Sequence, residues 1–114
     1  MAVKSQKPTK TARKAKSAGK PKFSKETYIK WYTDMLLIRK FEEKTGQLYI
    51  QQKFGGCCHV YIGEEDIVAG TASGSIKGDK HMTAYRDHGH PIALGTNPRV
   101  LMAELYGRTT GCSK

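Results

Sequence analysis

Nine of the chain's twenty Lys and Arg residues fall within the first 25 positions, a stretch without a single Asp or Glu. Before Phe23 its only large apolar side chains are Met1 and Val3. Such a segment cannot bury enough apolar surface to offset the entropy of ordering its backbone. Folding is therefore expected to begin at Phe23, with residues 1–22 forming a disordered basic tail. Three roles suit a tail of this kind. One is a solvated solubility segment, and another is non-specific contact with nucleic acid or an acidic partner. The third, an organelle transit peptide, fits least, because Arg enrichment and an apolar face are both missing.

This segregation changes what the overall charge means. The formal charge is +10, yet residues 26–114 hold eleven Lys and Arg against all ten acids. A basic footprint over the whole domain is absent, so a nucleic-acid-associated protein acting through its tail is only the alternative reading. No apolar run reaches membrane-spanning length, and no membrane partner is expected. The first apolar stretch lies far from the start and carries charges, unlike a secretory signal. Three cysteines, an odd number, argue against a secreted disulfide scaffold. A cytoplasmic, reducing location is expected.

From Phe23 onward the periodicity becomes readable. Ser24 is a suitable N-cap, and Glu26 sits where the helix dipole favours an acid. Tyr28, Trp31, Met35 and Ile38 recur at helical spacing, which predicts an amphipathic helix to Phe41 or beyond, with its aromatics as core or interface residues. The pattern weakens through Leu48 and Ile50 and ends at Gly55-Gly56. Cys57–Ile62 reads as a strand or a buried loop. Glu64–Ser75 reads as a short helix with carboxylates at its start, in which Gly70 and Gly74 could permit close packing. Gly78-Asp79 is a turn, Lys80–Tyr85 a short strand and Arg86–His90 a polar loop. Asn97 caps a last helix that has Pro98 at its first position and runs over Arg99–Tyr106. The expected class is α/β, mostly helical with one or two short strands. That is too few for an independent sheet, and the chain stops at Gly111-Cys112-Ser113-Lys114 without a closing element. The expectation is the front piece of a larger α/β protein, truncated at its C-terminal end.

Three places could carry chemistry. Tyr85-Arg86 follows a predicted strand, and ligands of open parallel sheets sit beyond the strands' carboxyl ends. Arg86 offers a planar five-donor fork for phosphate oxygens, Tyr85 a hydroxyl, and Gly89 a close backbone approach to a ligand. The competing reading is a surface ion pair of Arg86 with Asp87, or a helix-end contact. In Cys57-Cys58-His59 the cysteines lack zinc spacing, and no metal-ligating set is expected. There the thiols could be buried packing, with His59 a satisfied polar residue; or His59 could face a cleft as acid, base or oxyanion donor. Gly63-Glu64-Glu65-Asp66 could complement a helix dipole and hold a positive partner.

In order along the chain stand Phe41-Glu42-Glu43-Lys44, Cys58-His59-Val60-Tyr61-Ile62-Gly63-Glu64-Glu65 and Gly78-Asp79. Thr83-Ala84-Tyr85-Arg86-Asp87-His88-Gly89, Ala103-Glu104-Leu105-Tyr106-Gly107-Arg108 and Gly111-Cys112-Ser113-Lys114 follow. Over roughly residues 24–114 the chain resembles the N-terminal part of the alpha subunit of the thiamine-diphosphate-dependent, decarboxylating component of 2-oxo-acid dehydrogenase complexes. The bacterial pyruvate type is the nearest. The resemblance implies an incomplete thiamine-diphosphate-binding fold over residues 23–114. It implies that Tyr85 and Arg86 bind the cofactor's diphosphate, and that His59 lies beside cofactor and oxo acid. His59, Tyr85 and Arg86 are thus the implied cofactor- and substrate-binding residues, and no catalytic residue is assigned.

The resemblance further implies oxidative decarboxylation of pyruvate with acyl transfer to a lipoyl carrier. Acetoin and branched-chain 2-oxo-acid dehydrogenases are the alternatives within the family. Magnesium is the second cofactor, with ligands expected outside this chain. The implied partners are a beta subunit, in an assembly of two alpha and two beta chains, and the lipoyl acyltransferase core. The beta subunit supplies the acid that activates the cofactor's aminopyrimidine ring, so this chain holds part of a half-site and is expected to be inactive alone. The family's usual Gly-Gln-Glu-Ala reads Gly63-Glu64-Glu65-Asp66 here, which adds negative charge near the site.

Overall fold

In a computed structural model the structure describes residues 23–113. The expected tail, residues 1–22, lies outside the described residues, as does Lys114. Four helices carry the rest: α1 (Lys25–Ile50), α2 (Glu65–Gly74), α3 (Gly89–Ala93) and α4 (Pro98–Leu105).

Helix α1 starts where the sequence predicts. The Ser24 hydroxyl accepts from the Thr27 amide at 3.2 Å, satisfying one of the orphan donors of the first turn. It then runs for 26 residues, through Gly46 to Ile50. The face that sustains it is Ile38, Phe41, Glu42 and Thr45, all buried, with Phe41 and Glu42 each three or four residues from both Ile38 and Thr45. The aromatics of its first turns are not core. Tyr28 and Tyr32 are exposed, and Phe23, Tyr28 and Trp31 meet edge to face, with the Phe23 and Trp31 centroids 4.9 Å apart. Among the described residues, helices α2 and α3 pack on α1 lower down, around Ile38 and Phe41.

The core draws on every element. Ile38 and Phe41 come from α1, Tyr61 from the α1–α2 connection, Val68 from α2, Ile92 from α3 and Leu101 from α4. Each such side chain contributes roughly 1.5–3 kcal/mol when buried, so this cluster outweighs any single polar contact. Gly89 lies at its centre: a Cβ there would stand 3.2 Å from Tyr61 Cδ1 and 3.3 Å from both Ile38 Cγ2 and Val68 Cγ2. By contrast, nothing lies within 4 Å of a Cβ built on Gly70 or Gly74, so the close packing expected of them does not occur.

The α/β expectation is corrected: all regular elements among the described residues are helices, with no strand. Neither Cys57–Ile62 nor Lys80–Tyr85 is a strand. A strand exists only through a ladder with a neighbour, and these two stretches make none with each other or with the rest of the described chain. The first is instead the loop alternative, in which Tyr61 is buried while Cys57, His59 and Ile62 are exposed. The Arg86–His90 loop is also shorter than expected, because α3 begins at Gly89. Pro91 sits in its first turn, where a missing N–H breaks no helical bond. Helix α4 matches its expectation closely, with Asn97 Oδ1 accepting from the Arg99 amide at 2.9 Å and Pro98 opening the helix.

One ion pair fastens α2 to α1. Arg39 donates to both Glu65 oxygens, at 2.6 Å and 3.0 Å. The Gly63 amide donates to the same carboxylate at 3.1 Å, from a turn whose φ of +100° suits glycine. Mainly through Arg39, the Glu65 carboxyl is held down at about 2, against an ordinary 4.5. The predicted helix start with a cationic partner is thus realised.

A folded-state value below the unfolded one stabilises above pH 4.5, and that stabilisation is lost as pH falls toward about 2. Arg39→Met should destabilise the protein by on the order of 1–2 kcal/mol at pH 7, between an exposed pair and a buried charge-assisted one. Urea unfolding of both forms from pH 7 down to pH 2 checks this. The difference should shrink on acidification; a difference independent of pH would show that Glu65 does not depend on Arg39.

Candidate functional site

Two stretches without regular structure, one before α2 and one before α3, meet at a cleft of about 370 Å³ lined by Cys57, Cys58, His59, Tyr85, His88 and Leu105. His59 and Tyr85 lie 26 positions apart in sequence, yet their ring centroids stand 5.0 Å apart, edge to face. Tyr85 is 74% exposed and His59 is exposed. Arg86 is not part of the wall. Its guanidinium carbon stands 5.9 Å from the Tyr85 ring centroid, within cation–π range. The Tyr85 side chain is the main influence raising the Arg86 pKa above its ordinary value. The structure thus brings together all three residues singled out in the sequence.

Arg86 does not pair with Asp87. The Asp87 carboxylate instead accepts from the Ala84 amide at 2.8 Å, which closes the turn that carries Tyr85 and Arg86. The carboxylate nearest to Arg86 in an ion pair is Glu64, at 3.9 Å. That exceeds hydrogen-bond length, and both side chains are more than two-fifths exposed. A fork of donors so lightly held suits an incoming anion. The premise that Tyr85 ends a strand does not hold, because it occupies a turn between irregular chain and α3. Gly89 also departs from its expected role: its bare Cα faces the core, and the close approach it permits is to Ile38, Tyr61 and Val68.

The cysteines are not buried packing. Cys57 is exposed and Cys58 half-buried, and all three cysteines are free thiols. Partial burial, helped by the Glu42 charge, raises the Cys58 thiol's pKa. Among the described residues no three His, Cys, Asp or Glu side chains gather as a metal site would require.

Two residues of the quoted stretches have a part here that the motifs do not assign. His88 lines the cleft, and its Nδ1 lies 2.9 Å from Oε1 of Glu42 on α1, whose side chain is wholly buried. The available signal is positional: the spacing of Ile38, Phe41 and Thr45 places Glu42 on the buried stripe, where a carboxylate needs a partner. Glu104 is the other. It accepts from the Cys112 and Ser113 amides, both at 2.9 Å, from Ser113 Oγ at 2.6 Å and from the Cys112 thiol. These donors, the Cys112 thiol foremost, hold its carboxyl at about 2. The loop closes so tightly that a Cβ on Gly111 would stand 2.8 Å from Glu104 Cα.

Comparison with known proteins gives the family. Residues 33–114 match the family model described as the dehydrogenase E1 component, and the chain belongs to that family. Over 90 residues it is 57% identical to the pyruvate dehydrogenase E1 component subunit alpha of Rickettsia prowazekii, covering 79% of this chain and 28% of the relative. The protein of the same name from Rhizobium meliloti is 54% identical over 92 residues, 81% of this chain and 26% of the relative. The chloroplastic subunit alpha-3 of Arabidopsis thaliana is 37% identical over 91 residues, 80% and 21% of the respective chains. This chain therefore spans between about a fifth and three-tenths of the length of these relatives. No solved structure matches it.

The proximity of Glu64 to Arg86 yields a prediction. Glu64 lies close enough to the guanidinium to compete with an incoming anion, so Glu64→Gln should tighten binding of inorganic diphosphate to the complete protein by about two- to fivefold. Calorimetric titration in magnesium checks it; an unchanged or weaker affinity would remove Glu64 from the field of the site.

Proposed function

We propose that this chain is the N-terminal part of the alpha subunit of a pyruvate dehydrogenase, acting in the oxidative decarboxylation of pyruvate with acyl transfer to a lipoyl carrier. The observation that carries the reading is the 5.0 Å meeting of His59 and Tyr85, with Arg86 beside them. It lies within a stretch 57% identical to a protein named for that activity. The cofactor of the reading is thiamine diphosphate, with magnesium held by residues outside this chain. Its partners are a beta subunit, in a two-alpha, two-beta assembly, and the lipoyl acyltransferase core. The bacterial relatives support a cytoplasmic location, and no described helix is long and apolar enough to cross a membrane. Residues 23–114 would then be one end of a thiamine-diphosphate-binding domain.

The residues fit the cofactor. Tyr85 and Arg86 offer a hydroxyl and a fork of N–H donors on one exposed turn, a donor set matched to diphosphate oxygens. When bound, thiamine diphosphate supplies the carbanion chemistry that a protein side chain lacks. The protein's part is placement. The turn closed by Asp87 holds Tyr85 and Arg86 in fixed register, and α3 anchors that turn to the core through Gly89 and Ile92. His59, edge-on to Tyr85, projects an imidazole where it can hydrogen-bond a bound oxo acid or cofactor. Hydrogen-bonding groups held in place before the ligand arrives need no reorganisation when charge develops.

Arg86→Ala in the complete protein should remove a charge-assisted contact of roughly 1.5–3 kcal/mol, one to two decades in the dissociation constant of thiamine diphosphate. Arg86→Lys should also bind more weakly, because a point charge cannot reproduce the fork. Titration of both variants decides it, and unchanged affinity in both would take Arg86 out of the site.

The substrate is tested separately. The Cys58-His59-Val60 stretch resembles the pyruvate type, whereas Glu64-Glu65 leans toward branched-chain relatives. Pyruvate is expected to turn over faster than branched-chain 2-oxo acids or acetoin when the complete alpha chain is assayed with its beta partner. Equal or slower turnover of pyruvate would overturn the preference.

A further inference from the structure

Glu42 is the buried ionisable group that the reading above leaves without a task. Its side chain has no exposure, and it sits on α1 between Phe41 and Thr45, both buried. A buried carboxylate is costly unless hydrogen-bonded, and one of its oxygens, Oε2, has no partner in the described structure. The other, Oε1, meets His88 Nδ1 at 2.9 Å. The Phe41 ring packs edge-on against the same imidazole, with centroids 6.0 Å apart, so the ring is held by packing as well as by the hydrogen bond. His88 is only 17% exposed, and it lines the cleft beside His59 and Tyr85.

An ionised carboxylate accepts and cannot donate, so with Glu42 ionised it is Nδ1 that carries the proton of the shared bond. In neutral imidazole the other nitrogen, Nε2, then keeps its lone pair. A buried carboxylate behind an imidazole is a recurrent way to fix which nitrogen faces a ligand. The cleft is rich in donors: the Tyr85 hydroxyl inside it and the Arg86 guanidinium at its edge. These suit the anionic part of a ligand. The guanidinium can only donate, so an acceptor for the ligand's own N–H or O–H groups has to come from the other side chains of the cleft.

We infer that Glu42 is a positioning residue that locks His88 in the Nδ1–H tautomer and so presents Nε2 to the cleft as the hydrogen-bond acceptor for an N–H or O–H group of the bound ligand. The ligand class is an anion that also carries a polar hydrogen. The inference rests on the reading of this cleft as the cofactor and substrate site.

The test uses the complete protein in its assembled form, with thiamine diphosphate and magnesium as the probe. Solid-state NMR of 15N-histidine-labelled protein reads the tautomer directly, with His88 assigned by its disappearance in His88→Asn. The native protein should show His88 protonated at Nδ1, and Glu42→Gln should give a mixture of tautomers, a change that loss of packing alone would not produce. His88→Asn keeps an N–H for Glu42 but lacks Nε2, so the protein should still assemble. It should bind thiamine diphosphate about three- to tenfold more weakly. A native His88 protonated at Nε2 would overturn the inference, as would His88→Asn binding as tightly as the native protein while Arg86→Ala binds more weakly. If Arg86→Ala and His88→Asn both bind like the native protein, the reading of the cleft fails, and the NMR result alone then decides whether Glu42 sets the tautomer.

Discussion

Everything in this structure depends on how closely the backbone at residue 89 approaches three side chains. Ile38, Tyr61 and Val68 come from α1, the connecting loop and α2, and each would touch a Cβ at 3.2–3.3 Å. Hydrogen in place of a methyl at that point lets α3 sit against the core. Helix α3 in turn fixes the turn at Tyr85-Arg86 just before it. The Arg39–Glu65 pair and the Gly63 turn perform the matching task on the other side, setting where α2 begins and how the chain from Cys57 approaches it. The cleft lies between these two anchored loops. Its geometry follows from core packing and not from the hydrogen-bond ladder of a sheet.

The electrostatics of the region divide along burial. Glu65 and Glu104 each collect several donors, and their low pKa values mark them as structural charges. Glu64, half-exposed and lacking a capping bond, is close enough to Arg86 to attenuate its field without closing on it. Glu42 is the deepest of these carboxylates and has an imidazole as its only hydrogen-bond partner among the described residues. Donors face the solvent side of the cleft, while the acid that orients one of its imidazoles lies beneath.

Local signals in the sequence proved dependable where the physics is local. The Ser24 and Asn97 caps, Pro98 at the start of α4 and the acidic start of α2 depend on neighbours a few residues away, and each stands where the pattern puts it. The strands failed for the opposite reason: a strand needs a partner, and an apolar run such as Cys57–Ile62 says nothing about whether one is present. Gly89 misled in another way. Its place in a polar motif suggests contact with a ligand, but the three side chains that need it bare lie 21 to 51 positions away in sequence. His59, Tyr85 and Arg86 are singled out by several ordered motifs taken together, and the fold brings them side by side. Glu42 was legible only as a charge on an apolar stripe, and its pairing with His88 spans 46 positions.

The central claim is that the loop around His59 and the turn of Tyr85-Arg86 form a single ligand site. Hydrogen–deuterium exchange of the complete protein, with and without thiamine diphosphate and magnesium, tests it most directly. Adding the cofactor should slow exchange in both the 57–64 and the 84–90 segments, with Phe23 and the first turns of α1 around Trp31 unchanged. Protection of neither segment, or of one without the other, would contradict it.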